Sequence, residues 1–310
     1  ALALAEKGDG CCRAGVVKDA GDDPDVTHGA LIVARVSRGA PGAGVTFSAG
    51  EGVGTVTKPG LPLAVGEPAI NPAPRRMIFE AIAAEAALRG GATDVQVEIS
   101  IPGGEKIAER TLNGRLGIVG GLSILGTTGI VMPFSCAAWI ASIHRGIDVA
   151  RAAGLDIVAG ATGSTSEAAI KALYALPDEA LIDMGDFVGG MLKYLRNHPV
   201  RRVIVAGGMA KMTKLAQGLL DLHSKRGGVD LDFLARFATG ETALAIRDAN
   251  SAKHAFEIAQ AAGIELSQAV AAEAWRTAAK ALQGAPSELE IVVFDRAGGL
   301  LARTGFRPLG

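Results

Sequence analysis

The sequence predicts two domains: a β-rich α+β domain over residues 1–114 and a doubly wound, mostly parallel α/β domain over residues 115–310. Three observations carry that prediction. Strand patterns broken by Gly and Pro dominate the first part of the chain. Beyond Leu116, apolar strands alternate with helical patterns. Three of those later strands run straight into glycine-rich turns that open helices.

Taken in order, strand patterns fall at 11–17, 30–36, 44–48 and 52–58. A proline-marked connector at 61–74 leads into a helix. Pro74 lies in its first turn, and Met77, Ala81, Ala84 and Leu88 share one face until Gly90 and Gly91 end it. Residues 94–101 alternate like a half-buried strand and close the first domain near Gly114. The second domain reads strand at 116–125, 156–161, 180–183 and 203–207, with helices at 135–153, 166–175, 188–197 and 209–223 between them. Helices at 252–262 and 268–283 follow. The second of these places Ala271, Ala274, Trp275, Ala278 and Leu282 on one face, which is core packing. A last strand at 289–295 turns through 297–299 into LLART.

Composition restricts the function classes. Apolar residues make up 49% and charged residues 20%, the balance of a globular chain. A net charge of −1 supplies no global field for nucleic acid or an anionic membrane, and 4% aromatics are too few to stack bases. Three cysteines, with Cys11 and Cys12 adjacent, make neither a disulfide framework nor a zinc site, and they fit a reducing, cytoplasmic setting. The start ALALAEKGDG lacks Met and reads as the interior of a longer protein. Residues 116–143 hold no charged side chain over 28 positions, which mimics a membrane span, but clustered glycines and Pro133 divide them into strand, loop and helix. No membrane association is expected.

The densest chemistry lies in KDAGDDPDVTHG at 18–29, where Asp19, Asp22, Asp23 and Asp25 crowd one loop. Like-charge repulsion makes such crowding costly, so the excess over an ordinary turn points to a site that holds a cation or takes a proton. A turn-only reading, with the aspartates forming Asx-turns, stays open. Of the five histidines, none shows metal-ligand spacing, and His28 beside this loop is the one of interest. No metal site is expected.

The three glycine turns are GTTGIVMP at 126–133, GATGSTSE at 160–167 and GGMAK at 207–211. Glycine lets backbone N–H groups approach a ligand, and the following helix N-terminus favours negative charge. None has the spacing of a dinucleotide fingerprint or a P-loop. The candidates for a nucleoside ligand are Gly126, Thr127, Thr128, Gly129, Thr162, Gly163, Ser164, Gly207 and Gly208. Asp183, ending a strand, is a candidate for ribose hydroxyls. Plainer roles stand beside these. Ser164 and Glu167 fit a capping box, Thr127 and Thr128 fit helix caps, Lys211 fits a solvated helix position, and Asp183 with Asp186 fits a turn cap.

In this order the segments closely resemble the cobalt-precorrin-5B C-1 methyltransferases of the anaerobic route to the corrin ring. The resemblance is carried by GVVKDAGDDPDVTHGA at 15–30, AINPAPRRMI at 69–78, TLNGRLGIVGGLSILGTTGIVMPFS at 111–135, GATGSTSE at 160–167, DMGDFVGGML at 183–192 and VIVAGGMAKMTKLAQG at 203–218. These motifs span most of residues 11–218 and are not those of generic methyltransferases. Two features depart from the family pattern. Its usual Thr-, Gly- and Ala-rich opening lies ahead of where this chain starts, and Asn113–Gly114 stands where Asn-Pro is common. The first puts any site residues of that opening out of reach; the second alters only turn chemistry.

The resemblance implies methyl transfer from S-adenosylmethionine to ring carbon 1 of a cobalt-bound tetrapyrrole, with cobalt part of the substrate. It implies Asp22, Asp23 and Asp19 as catalytic candidates, stabilising the sulfonium or accepting a proton. Lys18, Thr27, His28, Arg75, Arg76 and Lys211 are the candidates for the ring's carboxylates, and Arg13 is a further basic residue near them in sequence. A small-molecule tetrapyrrole is the expected partner, with neither nucleic acid nor membrane; self-association is left open. Two other readings are kept: a Mg-dependent phosphoryl-transfer enzyme built on the aspartates, and a tetrapyrrole carrier without catalysis.

Overall fold

A computed structural model describes residues 1–126 and 128–309, and the chain divides into two compact units, Ala1–Ser135 and Cys136–Gly310. Unit 1 contains β1 (Leu4–Lys7), β2 (Cys11–Val17), β3 (Leu31–Arg38), β4 (Val45–Ala49), β5 (Thr55–Val56), α1 (Pro72–Arg89), β6 (Val95–Ser100), α2 (Gly104–Ala108) and β7 (Ile118–Val119). Five strands make a sheet in the order β1-β2-β3-β6-β4, antiparallel except for the parallel β4–β6 pair. Alternation along β6 buries Val97 and Ile99, which join Val53, Ile70 and Leu122 in a core that Ile78 and Ile82 of α1 pack against.

The strand expected at 52–58 shrinks to Thr55–Val56. Gly52 sits at φ 71°, and a Cβ there would come within 1.9 Å of the Ile101 carbonyl oxygen, so the chain turns tightly against its neighbour. The larger correction concerns 116–125, expected as the first strand of the parallel sheet. Only Ile118–Val119 is strand, and it pairs antiparallel with β5 in unit 1. Leu122 and Ile124 then donate their N–H groups to Gly52 and Ala69 at 2.8 and 2.7 Å. Glycine turns at 117 and 120 interrupt the run. Residues 116–125, expected beyond a domain boundary near Gly114, thus belong to the first compact unit.

Unit 2 contains α3 (Cys136–Ala152), β8 (Ile157–Ala161), α4 (Ser164–Tyr174), β9 (Leu181–Asp183), α5 (Val188–Asn197), β10 (Arg202–Gly208) and α6 (Met209–Ala216). It continues with α7 (Leu231–Ala235), α8 (Gly240–Arg247), α9 (Ala252–Ala261), α10 (Leu266–Leu282), β11 (Glu288–Phe294), β12 (Leu300–Arg303) and β13 (Arg307–Pro308). The sheet order is β12-β11-β10-β8-β9, with β13 also on β11. The four strands from β9 to β11 are parallel, and β12 and β13 are antiparallel.

Period-two alternation feeds both faces of this sheet. Val158, Val203, Val205, Ile291 and Val293 face a core built with α3, α5, α6 and α10. Ala159, Ile204, Ala206, Val292 and Phe294 face the opposite way, onto Ile170 of α4. A sheet covered on both faces explains why its strands read as unbroken apolar runs. The helix expected to reach residue 223 stops at Ala216, leaving 217–223 as a loop, and α7 and α8 occupy a stretch with no helix expected.

Candidate functional site

In unit 1 the four aspartates of the acidic loop do different jobs. Asp25 accepts a hydrogen bond from the Lys18 ammonium, and its Oδ1 accepts from the Thr27 backbone N–H at 2.8 Å and hydroxyl at 2.6 Å. The Lys18 ammonium also reaches Thr27 Oγ1 at 2.5 Å. Burial pushes the Asp25 carboxyl up, but hydrogen bonds from Lys18 and Thr27 outweigh it and hold the group below its ordinary value. Asp19 forms an Asx-turn, accepting from Gly21 N–H at 2.9 Å. Asp23 Oδ1 accepts the Phe134 N–H at 2.9 Å. Asp22 is exposed and has no hydrogen bond or ion pair among the described residues.

His28 Nδ1 lies 3.8 Å from Asp19, yet the same nitrogen accepts the Ala20 N–H at 3.1 Å. That nitrogen presents a lone pair, so the contact is not a charged pair, and the Ala20 bond is the one that orients the ring. Among the described residues, no three His, Cys, Asp or Glu side chains are arranged to hold a metal ion.

The basic candidates also separate. Arg75 is committed inside the fold: it donates to Glu67 at 2.6 Å, to the Ile70 carbonyl at 2.8 Å and to the Pro68 carbonyl at 3.1 Å, and lies over the Phe47 ring. The side chain expected to meet substrate is thus held by three contacts within the fold. Lys18 and Thr27 are likewise tied up by Asp25. Arg76 stays exposed, 4.0 Å from Glu80, and Arg13 pairs at the surface with Glu6 at 3.0 Å.

Two of the three glycine turns meet in unit 2. Along the chain β8 is followed by β9 on one side, and β10 and β11 then build on the other, so the switch in direction lies between β8 and β10. That is where doubly wound sheets leave a crevice at their carboxyl ends. Thr162 N–H donates to the Ala206 carbonyl at 3.1 Å, and a Cβ on Gly207 would lie 2.7 Å from Thr162 Oγ1. Gly163 and Gly208 are the N-caps of α4 and α6. A Cβ on Gly163 meets nothing within 4 Å, and one on Gly208 meets only the Phe294 carbonyl oxygen at 4.0 Å. Both helix N-termini thus open onto free space, where their N–H groups can receive an anionic or polar ligand group.

The helix begins at Ser164, one residue beyond the cap, so the expected Ser164–Glu167 capping box gives way to a Gly163 cap. The remaining turn departs from expectation more strongly. Gly126, Thr128 and Gly129 belong to unit 1 and follow no strand of this sheet; Thr127 lies outside the described residues. The third turn at these carboxyl ends is instead the one after β9. Asp183 ends the strand, its carbonyl accepts the Trp139 Nε1–H at 3.1 Å, and Gly185 N–H reaches the Ala161 carbonyl at 3.2 Å.

Just beyond, Asp186 pairs with the Lys211 ammonium, so Lys211 is not the solvated position its sequence context allows. Sequence reasoning missed Asp186 in this role and missed Lys214, which is buried one turn along α6. The i,i+3 spacing of the two lysines was the available signal. A hollow of about 300 Å³ lies between α3 and α5, lined by Ile140, His144, Gly190, Lys193, Tyr194 and Asn197. Tyr194 is stacked between His144 and His198 at 3.9 and 4.0 Å and donates to Asp148 at 2.6 Å. Burial and that bond push its hydroxyl up to about 12. With both ring faces covered, Tyr194 is packing, and the strand ends rather than this hollow carry the ligand features.

With this geometry in place, comparison with known proteins decides the family. A family model described as CbiD matches residues 1–133, and one described as CbiD, C-terminal domain, matches residues 221–305. The chain belongs to the CbiD family. CbiD relatives named cobalt-precorrin-5B C(1)-methyltransferase include a protein of Agrobacterium fabrum, 63% identical over 99% of this chain and 82% of its own length. Another, of Methylorubrum extorquens, is 61% identical over 97% of this chain and 85% of its own. The crystal structure of a cobalamin biosynthesis protein (cbiD) from Archaeoglobus fulgidus matches with TM-score 0.33 and 22% identity, covering 84% of this chain and 70% of that one.

Proposed function

We propose that this CbiD chain is a methyltransferase that methylates C-1 of cobalt-precorrin-5B, with S-adenosylmethionine as the donor. One observation carries the reading: 63% identity over nearly the whole chain to a protein of that name. The activity requires a methyl donor and a tetrapyrrole acceptor, and cobalt enters with the acceptor. In the transfer the bond from sulfur to the methyl carbon breaks as the bond to the ring carbon forms, so the protein's main task is to hold two ligands in line.

The carboxyl ends of β8 and β10 suit the donor. Thr162, Gly163, Ser164, Gly207 and Gly208 offer free backbone at two helix N-termini, and Asp183 suits the ribose hydroxyls. In unit 1 we assign the chemistry to Asp22, whose carboxylate makes no hydrogen bond or ion pair among the described residues; its role is to stabilise positive charge or to accept a ring proton. Asp19 and Asp23 shape its loop. Arg76 is the exposed cation best placed to meet a substrate carboxylate, and His28 a polar neighbour of the loop. We take the two compact units as two domains, and the setting as cytoplasmic. No helix among the described residues is long and apolar enough to cross a membrane.

Titration calorimetry tests the donor assignment. Binding of S-adenosylmethionine, and none of MgATP, supports the transferase. Mg-dependent nucleotide binding supports phosphoryl transfer instead, and binding of the tetrapyrrole alone supports a carrier.

A further inference from the structure

Unit 2 buries a lysine that makes no ion pair of its own among the described residues. Lys214 is 6% exposed. Its ammonium donates to one acceptor, the Leu222 carbonyl at 3.1 Å, and makes no ion pair among the described residues. Lys211 donates to that same carbonyl at 3.2 Å and is paired with Asp186. Two ammonium groups therefore share one oxygen and one carboxylate. The excess cation lies on a helix whose first turn starts at the carboxyl end of β10. A buried ammonium without an ion pair of its own is costly, and Lys214 stands in the last turn of α6, where the helix dipole offsets only part of that cost.

A second, independent vacancy in bonding sits one turn further along. Gln217 Oε1 is buried and has no hydrogen-bond partner among the described residues. Lys214 and Gln217 are three residues apart and so lie on one side of the helix end. A buried cation that lacks an anion, beside a buried acceptor that lacks a donor, matches a ligand group that carries both. An α-amino acid end has a carboxylate for the lysines and an ammonium for Gln217.

We propose that Lys214, with Lys211 and Gln217, forms a carboxylate-binding subsite, occupied by the amino-acid end of the methyl donor. This rests on the reading that the crevice at β8 and β10 takes S-adenosylmethionine. Lys214 acts as a binding residue, with Lys211 held in place by Asp186. The same chemistry would serve a carboxylate of the tetrapyrrole, so the test has an arm for each source.

Calorimetry on the full chain compares S-adenosylmethionine with its decarboxylated analogue, and the tetrapyrrole substrate with its methyl ester. The wild-type protein is expected to prefer S-adenosylmethionine by about 10–100-fold, the range of a charge-assisted hydrogen bond. Lys214→Met should erase that preference and leave affinity for the decarboxylated analogue unchanged; Lys214→Gln, which keeps a polar head, serves if the Met variant does not fold. If the variants erase the preference on the tetrapyrrole arm instead, the subsite stands for a carboxylate, with the tetrapyrrole as its source.

Two results overturn the subsite. In one, the wild-type protein shows no preference on either arm, a comparison that needs no variant. In the other, the variants keep every preference while their melting temperature falls, which makes Lys214 a strap on loop 217–223. Binding of neither ligand by the wild-type protein would instead overturn the transferase reading beneath it.

Discussion

Asp22 and Asp25 lie three residues apart and serve opposite purposes. Asp25 is held as a carboxylate by Lys18 and Thr27, below its ordinary value of 3.8. Because the folded form lowers this group's affinity for protons, its contribution is present above the unfolded value and lost as pH falls through the folded one. Asp25→Asn should therefore lower the melting temperature at neutral pH. The gap from wild type should close as acid titrates the carboxylate, and melting curves over a pH series check it. A gap that stays constant into acid would show that the Lys18 pair contributes nothing.

Asp22→Asn tests chemistry rather than fold. It should slow turnover by about 10²–10⁴-fold while leaving the melting temperature unchanged, since no partner among the described residues holds Asp22 in the fold. Asp23→Asn should be mild on both counts, because an amide oxygen accepts the Phe134 N–H as a carboxylate does, whereas Asp23→Ala loses that bond. Turnover and melting of the three variants, measured side by side, separate the roles. The sequence made the density of charge in this loop plain. It did not tell the free carboxylate from the tethered ones, because the tethers come from Lys18 and Thr27 folding back and from Phe134, over a hundred residues away.

At the scale of elements, neighbouring glycines at the end of β10 make a sharp contrast. A Cβ at Gly207 meets Met212 Cε and Thr162 Oγ1, each at 2.7 Å, whereas Gly208 and Gly163 face open space. Gly207→Ala should destabilise by about 1–3 kcal/mol, because the β-branched Thr162 has little room to move. Gly208→Val and Gly163→Val should leave stability nearly unchanged yet weaken donor binding by on the order of 1–3 kcal/mol. Calorimetry paired with thermal melts reads both. Donor affinity unchanged in two folded valine variants would remove the donor from these turns.

The strand-to-helix turns of β8 and β10 were legible because apolar runs ending in glycine have few alternatives. The run at 116–125 has the same look and a different fate. Its backbone bonds go to Gly52, Ala69 and β5, all earlier in the chain, and no local pattern announces partners at that distance.

Across the whole molecule, the order β12-β11-β10-β8-β9 sets where ligands can gather, since it creates the switch between β8 and β10. The class of each unit follows from the spacing of apolar residues, but strand order does not, and neither does the membership of 116–125 in unit 1. The two-faced core also makes a prediction. Leu192 of α5 is fully buried against the parallel sheet, so Leu192→Ala should cost about 2–5 kcal/mol, read from denaturant unfolding. A cost under half a kcal/mol, roughly the level of a surface substitution, would contradict that packing.

The central claim is that this CbiD chain transfers a methyl group to C-1 of cobalt-precorrin-5B. Anaerobic incubation of the protein with cobalt-precorrin-5B and S-adenosylmethionine carrying a ¹³C methyl group tests it most directly, with carbon NMR of the isolated product locating the label. The account predicts a labelled methyl bonded to ring carbon 1, formed only in the presence of the protein and much more slowly by Asp22→Asn. Label on another ring carbon, or none on the tetrapyrrole, would contradict it.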